Sequence, residues 1–193
     1  MQILKKISIL SLSLLMLAAC GKDDNVPEID TTAVNQEQIL GGWGINATKA
    51  YVNVNPDAKP FLATVDLSRK LQDKLDEKAT GASFYFKEEI VYFLRDEVVQ
   101  DSSKYTLGEY KIYLDNPELI GFYAPVFYIK FSGDLFVTYL RKEETLELLE
   151  KDKGISSSDM NLIRMAVEDT QCELRFQRNY LPIYDELQLS DLP

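Results

Sequence analysis

The chain contains no histidine and only two cysteines among its 193 residues. Without imidazole, no side chain of ordinary pKa changes charge near neutrality, and the commonest zinc and copper ligand is missing. His-based catalysis and most zinc and copper sites are therefore excluded. Two cysteines cannot build a disulfide framework, and one of them, Cys20, closes an N-terminal leader. Positive charge is scarce as well, with 21 Lys and Arg against 31 Asp and Glu. A chain this acidic repels phosphate backbones, and no basic patch interleaves with its aromatics, so nucleic acid is excluded as a partner. The apolar stretch of the leader, Ile7–Leu17, spans only ~16 Å as a helix, about half a bilayer core, and is too short to cross a membrane.

What remains is the composition of a globular domain: 46% hydrophobic, 27% charged, seven Pro and nine Gly. Aromatics are plentiful, with eleven Tyr, nine Phe and one Trp. No internal repeat and no second linker divide the body, so one domain is expected.

The first twenty residues have three zones. Lys5 and Lys6 are basic, Ile7–Leu17 is apolar, and Leu17-Ala18-Ala19-Cys20 ends the stretch with small residues before a cysteine. This is the pattern of a cleaved secretory signal. Leu-Ala-Ala-Cys resembles the lipobox of bacterial lipoproteins at all four positions. The resemblance implies removal of residues 1–19 and acylation of Cys20, first on sulfur and then on its new amino group. Several acyl chains anchor firmly where one alone binds marginally. Gly21, Lys22, Asp23, Asp24 and Asn25 follow, and the Lys-Asp-Asp run resembles the surface-export signal of Bacteroidota lipoproteins. The implied location is the outer membrane, lipid-anchored and facing the cell surface. Residues 20–35 carry Pro27, acids and Thr without apolar periodicity, and read as a flexible tether. Asp30-Thr31-Thr32 resembles the short O-glycosylation motif of the same bacteria. Loss of Lys5 and Lys6 with the leader takes the formal charge from −10 to −12, so membrane attachment falls to the acyl chains.

Short strands dominate the rest. Gly41-Gly42-Trp43-Gly44-Ile45 opens a strand through about Val54. Phe61–Thr80 has a helical period, with Leu67, Leu71 and Leu75 on one face and Lys70, Asp73, Lys74, Glu77 and Lys78 on the other. Gly81 stops it. Strands are then expected at Ala82–Lys87, Ile90–Val98, Tyr105–Leu114, Ala124–Phe131 and Leu135–Leu140, with Gln100–Ser103 as a polar break. Ser132-Gly133-Asp134 signals a hairpin. Helices are expected at about Glu143–Glu150 and Ser158–Thr170, the second with Ser156, Ser157 and Ser158 as candidate caps. Cys172–Arg178 forms a last strand. Seven or eight hairpin-connected strands predict a mainly β fold with a few helices, an antiparallel barrel or sandwich.

Gly41-Gly42-Trp43, at the opening of the first strand, resembles the Gly-x-Trp signature of lipocalins and their bacterial lipocalin-like relatives. The resemblance implies an up-and-down β-barrel, here with a helix inserted after the first strand. It also implies a basic residue of the last strand packed over the Trp. Arg175 and Arg178 are the candidates, and parity with Leu174 and Phe176 favours Arg178, whose guanidinium would close the barrel floor by a cation–π contact. The boundaries that follow are a signal peptide at 1–19, a lipidated tether at 20–35, the barrel domain at 36–182 and a tail at 183–193.

Catalytic groupings are sparse. Ser156–Ser158 near Lys153 read as a helix cap before they read as a dyad, and Cys172 lies on an apolar strand face as a small buried hydrophobe. Glu88-Glu89, Asp96-Glu97 and Glu143-Glu144 are neighbours in sequence, and neighbours on a strand face opposite ways, so they do not form a facing acid pair. No calcium-loop motif and no cofactor motif appear, and a non-enzymatic role is expected. The aromatics carry the functional expectation. Phe84, Phe86, Tyr110, Phe127 and Phe131 are the candidate lining of a pocket for a small apolar ligand, with Tyr85 and Tyr92 as polar tips and the Phe61–Thr80 helix as lid. The alternative is a filled barrel whose outward Tyr, such as Tyr113, and acidic surface bind an envelope protein or glycan.

Overall fold

A computed structural model describes residues 26–58, 60, 66–117, 126–151 and 155–179. Cys20, Lys22, Asp23 and Asp24, the Phe61–Val65 start of the expected helix, Lys153, and the 183–193 tail lie outside them. Eight antiparallel strands follow one another around a closed barrel: β1 (Gly41–Val54), β2 (Ala82–Lys87), β3 (Ile90–Arg95), β4 (Val98–Leu107), β5 (Lys111–Leu114), β6 (Val126–Ser132), β7 (Leu135–Leu140) and β8 (Val167–Asn179). β8 pairs back onto β1 and closes the barrel, leaving unpaired only the stretches of strand that overrun a shorter neighbour. Among the described residues there are four helices. α1 (Gln36–Ile39) precedes β1, α2 (Leu67–Ala79) separates β1 from β2, and α3 (Lys142–Glu150) and α4 (Ser157–Ala166) separate β7 from β8. Of the antiparallel barrel or sandwich that strand count predicts, the fold is the barrel, mainly β, with the up-and-down order that the lipocalin resemblance implies.

Strand alternation decides what fills it. Trp43 pairs with Phe84 on one side and Arg178 on the other, Phe136 pairs with Phe176, and Ile112 with Phe127, so one face of every strand delivers aromatic or branched side chains inward. Phe136 and Phe176 stack at 4.3 Å between ring centroids, and Phe84 stacks on Phe176 at 5.2 Å.

β1 is much longer than β2 and pairs with it only from Gly41 to Gly44. Beyond that point one edge of β1 has no strand beside it, and α2 takes the place. Its Leu67, Leu71, Leu75 and Ala79 are buried, each about one turn apart, and they join the barrel core. Asp66 caps the helix by accepting the Arg69 N–H at 3.0 Å. Gln72 accepts the Ala50 N–H at 2.9 Å and donates to Thr48 Oγ1 at 2.8 Å, so a side chain satisfies a β1 amide that a strand would otherwise have taken. Gly81 (φ +68°) reverses the chain into β2, and a Cβ there would lie 2.2 Å from the Asp96 carboxylate.

Several expected boundaries are corrected. The stretch Tyr105–Leu114 is not one strand. β4 ends at Leu107, Gly108–Tyr110 turns, and the Gly108 N–H donates to Lys111 O at 2.8 Å. Gln100–Ser103 is not a break but lies within β4, where the register with β3 slips between Phe93/Asp101 and Leu94/Val99, leaving Gln100 as the extra residue of a bulge. Ser158–Thr170 is not helical throughout: α4 stops at Ala166, and Val167–Gln171 already belong to β8, because Tyr51–Val54 offers them a partner strand. Two of the three acid pairs take turn positions, and Glu143-Glu144 opens α3. Glu88 (φ +46°) begins the β2–β3 turn, and Asp96 (φ +49°) and Glu97 (φ +67°) form the β3–β4 turn, with Arg95 opposite Val98.

Residues 26–35 are not a free tether. They form a strap across the outside of the barrel. The Thr32 N–H donates to Ile129 O at 3.3 Å, the Val34 N–H to Glu109 O at 3.1 Å, and Thr32 Oγ1 accepts the Phe131 N–H at 2.7 Å. Asp30 pairs with Lys130. β5 is only four residues long, so the end of β6 has free backbone groups, and the strap supplies their partners.

Candidate functional site: barrel floor, interior and outer clefts

The floor is built from α1, the start of β1 and the end of β8. The fully buried indole of Trp43 donates from Nε1 to Ile39 O at 2.7 Å and meets Phe136 edge-on at 4.6 Å and Phe131 at 5.6 Å. The Arg178 guanidinium lies 4.1 Å from the centre of that ring. Its two terminal nitrogens donate to Leu40 O at 2.8 Å and Gln38 O at 2.7 Å, carbonyls that α1 leaves unpaired at its C-terminal end. Gly41 (φ +101°) turns the chain between α1 and β1, and a Cβ there would press against Arg178 at 3.3 Å. Gly41, Trp43 and Arg178 thus form one unit. Arg175, the other basic candidate, lies on the outer face and pairs with Glu173 at 3.0 Å.

Among the described residues, the aromatic side chains of the interior pack closely. Phe84, Phe86 and Phe127 face inward and are buried, but the void they line with Phe136 and Thr138 measures about 10 Å³. That is about one water-sized probe, and Thr138 is the one polar side chain among its lining residues. Phe131 is half-buried at the floor, stacked on Phe136 at 5.3 Å. Tyr110 is corrected. It sits in the β4–β5 turn, 40% exposed, bonded to Glu109, because the turn at Gly108 breaks the alternation that would have carried it inward. Tyr85 and Tyr92 are corrected likewise: they pack with Leu94 and Val99 in a separate cluster on the outer face of β2–β4. Tyr113 is exposed, as its outward parity implies. The Phe61–Thr80 lid becomes, in its described part, a helix whose leucines are core residues.

Two larger clefts open on the outer surface of the described residues. One cleft of about 410 Å³ crosses the outer faces of β6, β7, β8 and β1, lined by Lys130, Val137, Tyr139, Glu173, Arg175 and Asn46 among others. The strands fix this row by register: Lys130 opposes Val137, Val137 opposes Arg175, and Tyr139 opposes Glu173. A bulge between Ile45 and Ala47 brings Asn46 to the rim, its amide 3.4 Å from Gln177. Burial raises the Tyr139 phenol above its ordinary pKa, and the Glu173 and Asp30 carboxylates add to the rise against Arg175. A second cleft of about 300 Å³ lies between strap residues 26–29, the β7–α3 corner at Arg141 and Lys142, and Asp169–Gln171 of β8. Gln171 is 3% exposed, and its Nε2 has no hydrogen-bond partner.

Neither cleft was expected from residue order. β7 reads Leu-Phe-Val-Thr-Tyr-Leu, apolar on both faces, and that was the available sign that its outer face is covered.

The chemistry-bearing residues have structural duties. Ser156 Oγ caps α4 by accepting the Asp159 N–H at 3.1 Å. Cys172 is fully buried, and burial pushes its thiol up to about 12. No group of three or more His, Cys, Asp or Glu among the described residues is placed to hold a metal ion. No described helix is long and apolar enough to cross a membrane. No family model, no curated protein and no solved structure matches the chain.

Proposed function

We propose that the chain is a non-enzymatic, lipid-anchored envelope protein whose barrel is a filled scaffold and whose outer face binds a partner, an envelope protein or a glycan. One observation carries this reading: the void that the inward Phe84, Phe86, Phe127 and Phe136 line measures about 10 Å³, while the outer cleft at Tyr139, Glu173 and Arg175 opens about 410 Å³. Small-molecule sites ordinarily occupy at least ~300 Å³. An apolar ligand inside would have to expel Leu71 and Leu75 of α2, which are among the most deeply buried side chains of the core. The anchor is Cys20 in its lipobox, and Lys22, Asp23 and Asp24 are the export signal that sends the protein to the cell surface.

Photocrosslinking on intact cells tests the reading. A photoreactive residue at Leu135, 45% exposed at the rim of the cleft, is expected to give a discrete product that disappears in Arg175→Ala. The same probe at Lys87, exposed at the β2–β3 turn, is expected to give none. Absence of a product at Leu135, together with one apolar molecule per chain released on denaturation, overturns the outer-face reading and restores the interior-ligand one.

A further inference from the structure

The strap fixes where the chain leaves the barrel. Val26 lines the 300 Å³ cleft beside Arg141, Lys142 and Gln171, and six residue steps separate it from Cys20. A fully extended chain of that length covers at most ~20 Å. Acyl chains on Cys20 therefore hold this end of the barrel within about that distance of the bilayer surface. It is the end formed by the close of β7, the start of β8 and the last residues of β1, opposite the Trp43–Arg178 floor.

The same end carries the most exposed large hydrophobic side chain among the described residues. Met165 is 82% exposed, and Leu162, three residues earlier on the same stripe of α4, is 46% exposed. α4 runs directly into β8, three residues before the cleft residue Asp169. Arg164 ties it to both ends of α3, 3.6 Å from Glu143 in the first turn and 2.6 Å from Glu150 in the last. The first turn begins at Lys142, which lines the cleft and donates to Glu168 O at 3.2 Å. The cleft is not uniformly basic. Glu28 and Asp169 line it too, although Asp169 Oδ1 is taken by the Thr170 N–H at 2.8 Å. Its open donor is the Arg141 guanidinium, stacked 3.9 Å over the Tyr128 ring, whose N–H groups suit the oxygens of a lipid headgroup.

We infer that the α4 end of the barrel is the membrane-facing surface, with Leu162 and Met165 against the bilayer and the strap cleft facing its headgroups. The inference rests on the acylation of Cys20. It adds an orientation: the Trp43–Arg178 floor points away from the bilayer, and the outer cleft at Tyr139 runs up the barrel wall between the two ends.

The test is a quenching measurement on the full-length acylated protein in lipid vesicles. A bimane is placed through Met165→Cys, or through Glu37→Cys on exposed α1 at the floor. Cys172 is buried and does not compete for the label, and an acylated Cys20 sulfur is blocked. Mass spectrometry first establishes the acylation. Lipids spin-labelled near the headgroup are expected to quench the label at 165 several-fold more than the label at 37. Equal weak quenching at both sites in acylated protein overturns the orientation and leaves the anchor standing. An unacylated chain overturns both. Shielding at 165 that appears only at high protein-to-lipid ratio identifies a second copy of the chain as the occupant and overturns the membrane assignment.

Discussion

Arg178 shows how one side chain serves several groups at once. Its planar fork covers the Trp43 face at 4.1 Å while two nitrogens reach separate α1 carbonyls. Lysine keeps the charge but cannot hold both carbonyls and the ring from one nitrogen. Arg178→Lys is expected to cost ~1–3 kcal/mol, the worth of a lost charged hydrogen bond with part of a cation–π contact, read as a lower urea midpoint at unchanged m. Cys172 acts through burial alone. Its folded pKa of about 12 stands above the ordinary 9.0, so the folded state holds its proton where the unfolded state has lost it. The stabilisation is complete below pH 9 and is lost as pH rises from 9 towards 12. Tyr105 and Tyr139, whose pKa values burial also raises, act in the same direction. Cys172→Ala is therefore expected to flatten the loss of stability above pH 9 by up to one proton, ~1.4 kcal/mol per pH unit. Urea titrations at several alkaline pH values measure that slope, and an unchanged slope removes Cys172 from the account.

Elements differ in how plainly residue order announces them. β2 and α2 were readable because one period runs the length of each: Phe84 and Phe86 alternate inward, and Leu67, Leu71 and Leu75 recur once per turn. The lipocalin resemblance implies a basic residue of the last strand over Trp43, and parity along β8 from Leu174 through Phe176 selects Arg178 over Arg175. β4 and β5 were merged because Ile112 and Leu114 extend an even-numbered alternation back through Tyr110, whereas Tyr105 and Leu107 point inward on odd numbers. The connector at Gly108–Tyr110 reverses the parity. The strap was missed for another reason. Its contacts are backbone groups and single polar side chains, which leave no periodic trace in a sequence. α2 shows what such polar contacts do. Gln72 stands in for a missing strand by accepting the Ala50 N–H. Gln72→Ala leaves that amide without its partner, at ~1–3 kcal/mol if it stays buried. Hydrogen exchange at Ala50 is expected to quicken far more than at β8 amides such as Leu174, and Gln72→Glu, which keeps an acceptor, is expected to restore protection. Equal acceleration across β1 and β8 would mean that the helix matters only through its leucines.

An eight-stranded barrel is near the size at which side chains alone can fill it, so whether it holds a ligand turns on what points inward. Here the strands deliver Trp43, Phe84, Phe86, Phe127, Phe136 and Phe176, and α2 adds Leu71 and Leu75 where β1 and β2 part. A lid helix over a cavity would present replaceable contacts to a ligand, whereas this helix inserts its leucines into the core itself. The distinction is measurable. An apolar fluorophore that brightens in dry surroundings is expected to show no saturable uptake by the wild-type protein. Leu71→Ala should open space beneath α2 at a cost of ~2–5 kcal/mol, and uptake at one probe per chain should then appear. Leu162→Ala, on the exposed stripe of α4, changes the surface without opening the core and should leave uptake absent. Saturable binding by the wild type, competed by a natural apolar molecule, would mean that α2 moves aside in solution. The barrel would then be a container, and its outer clefts would lose their claim to be the binding surface.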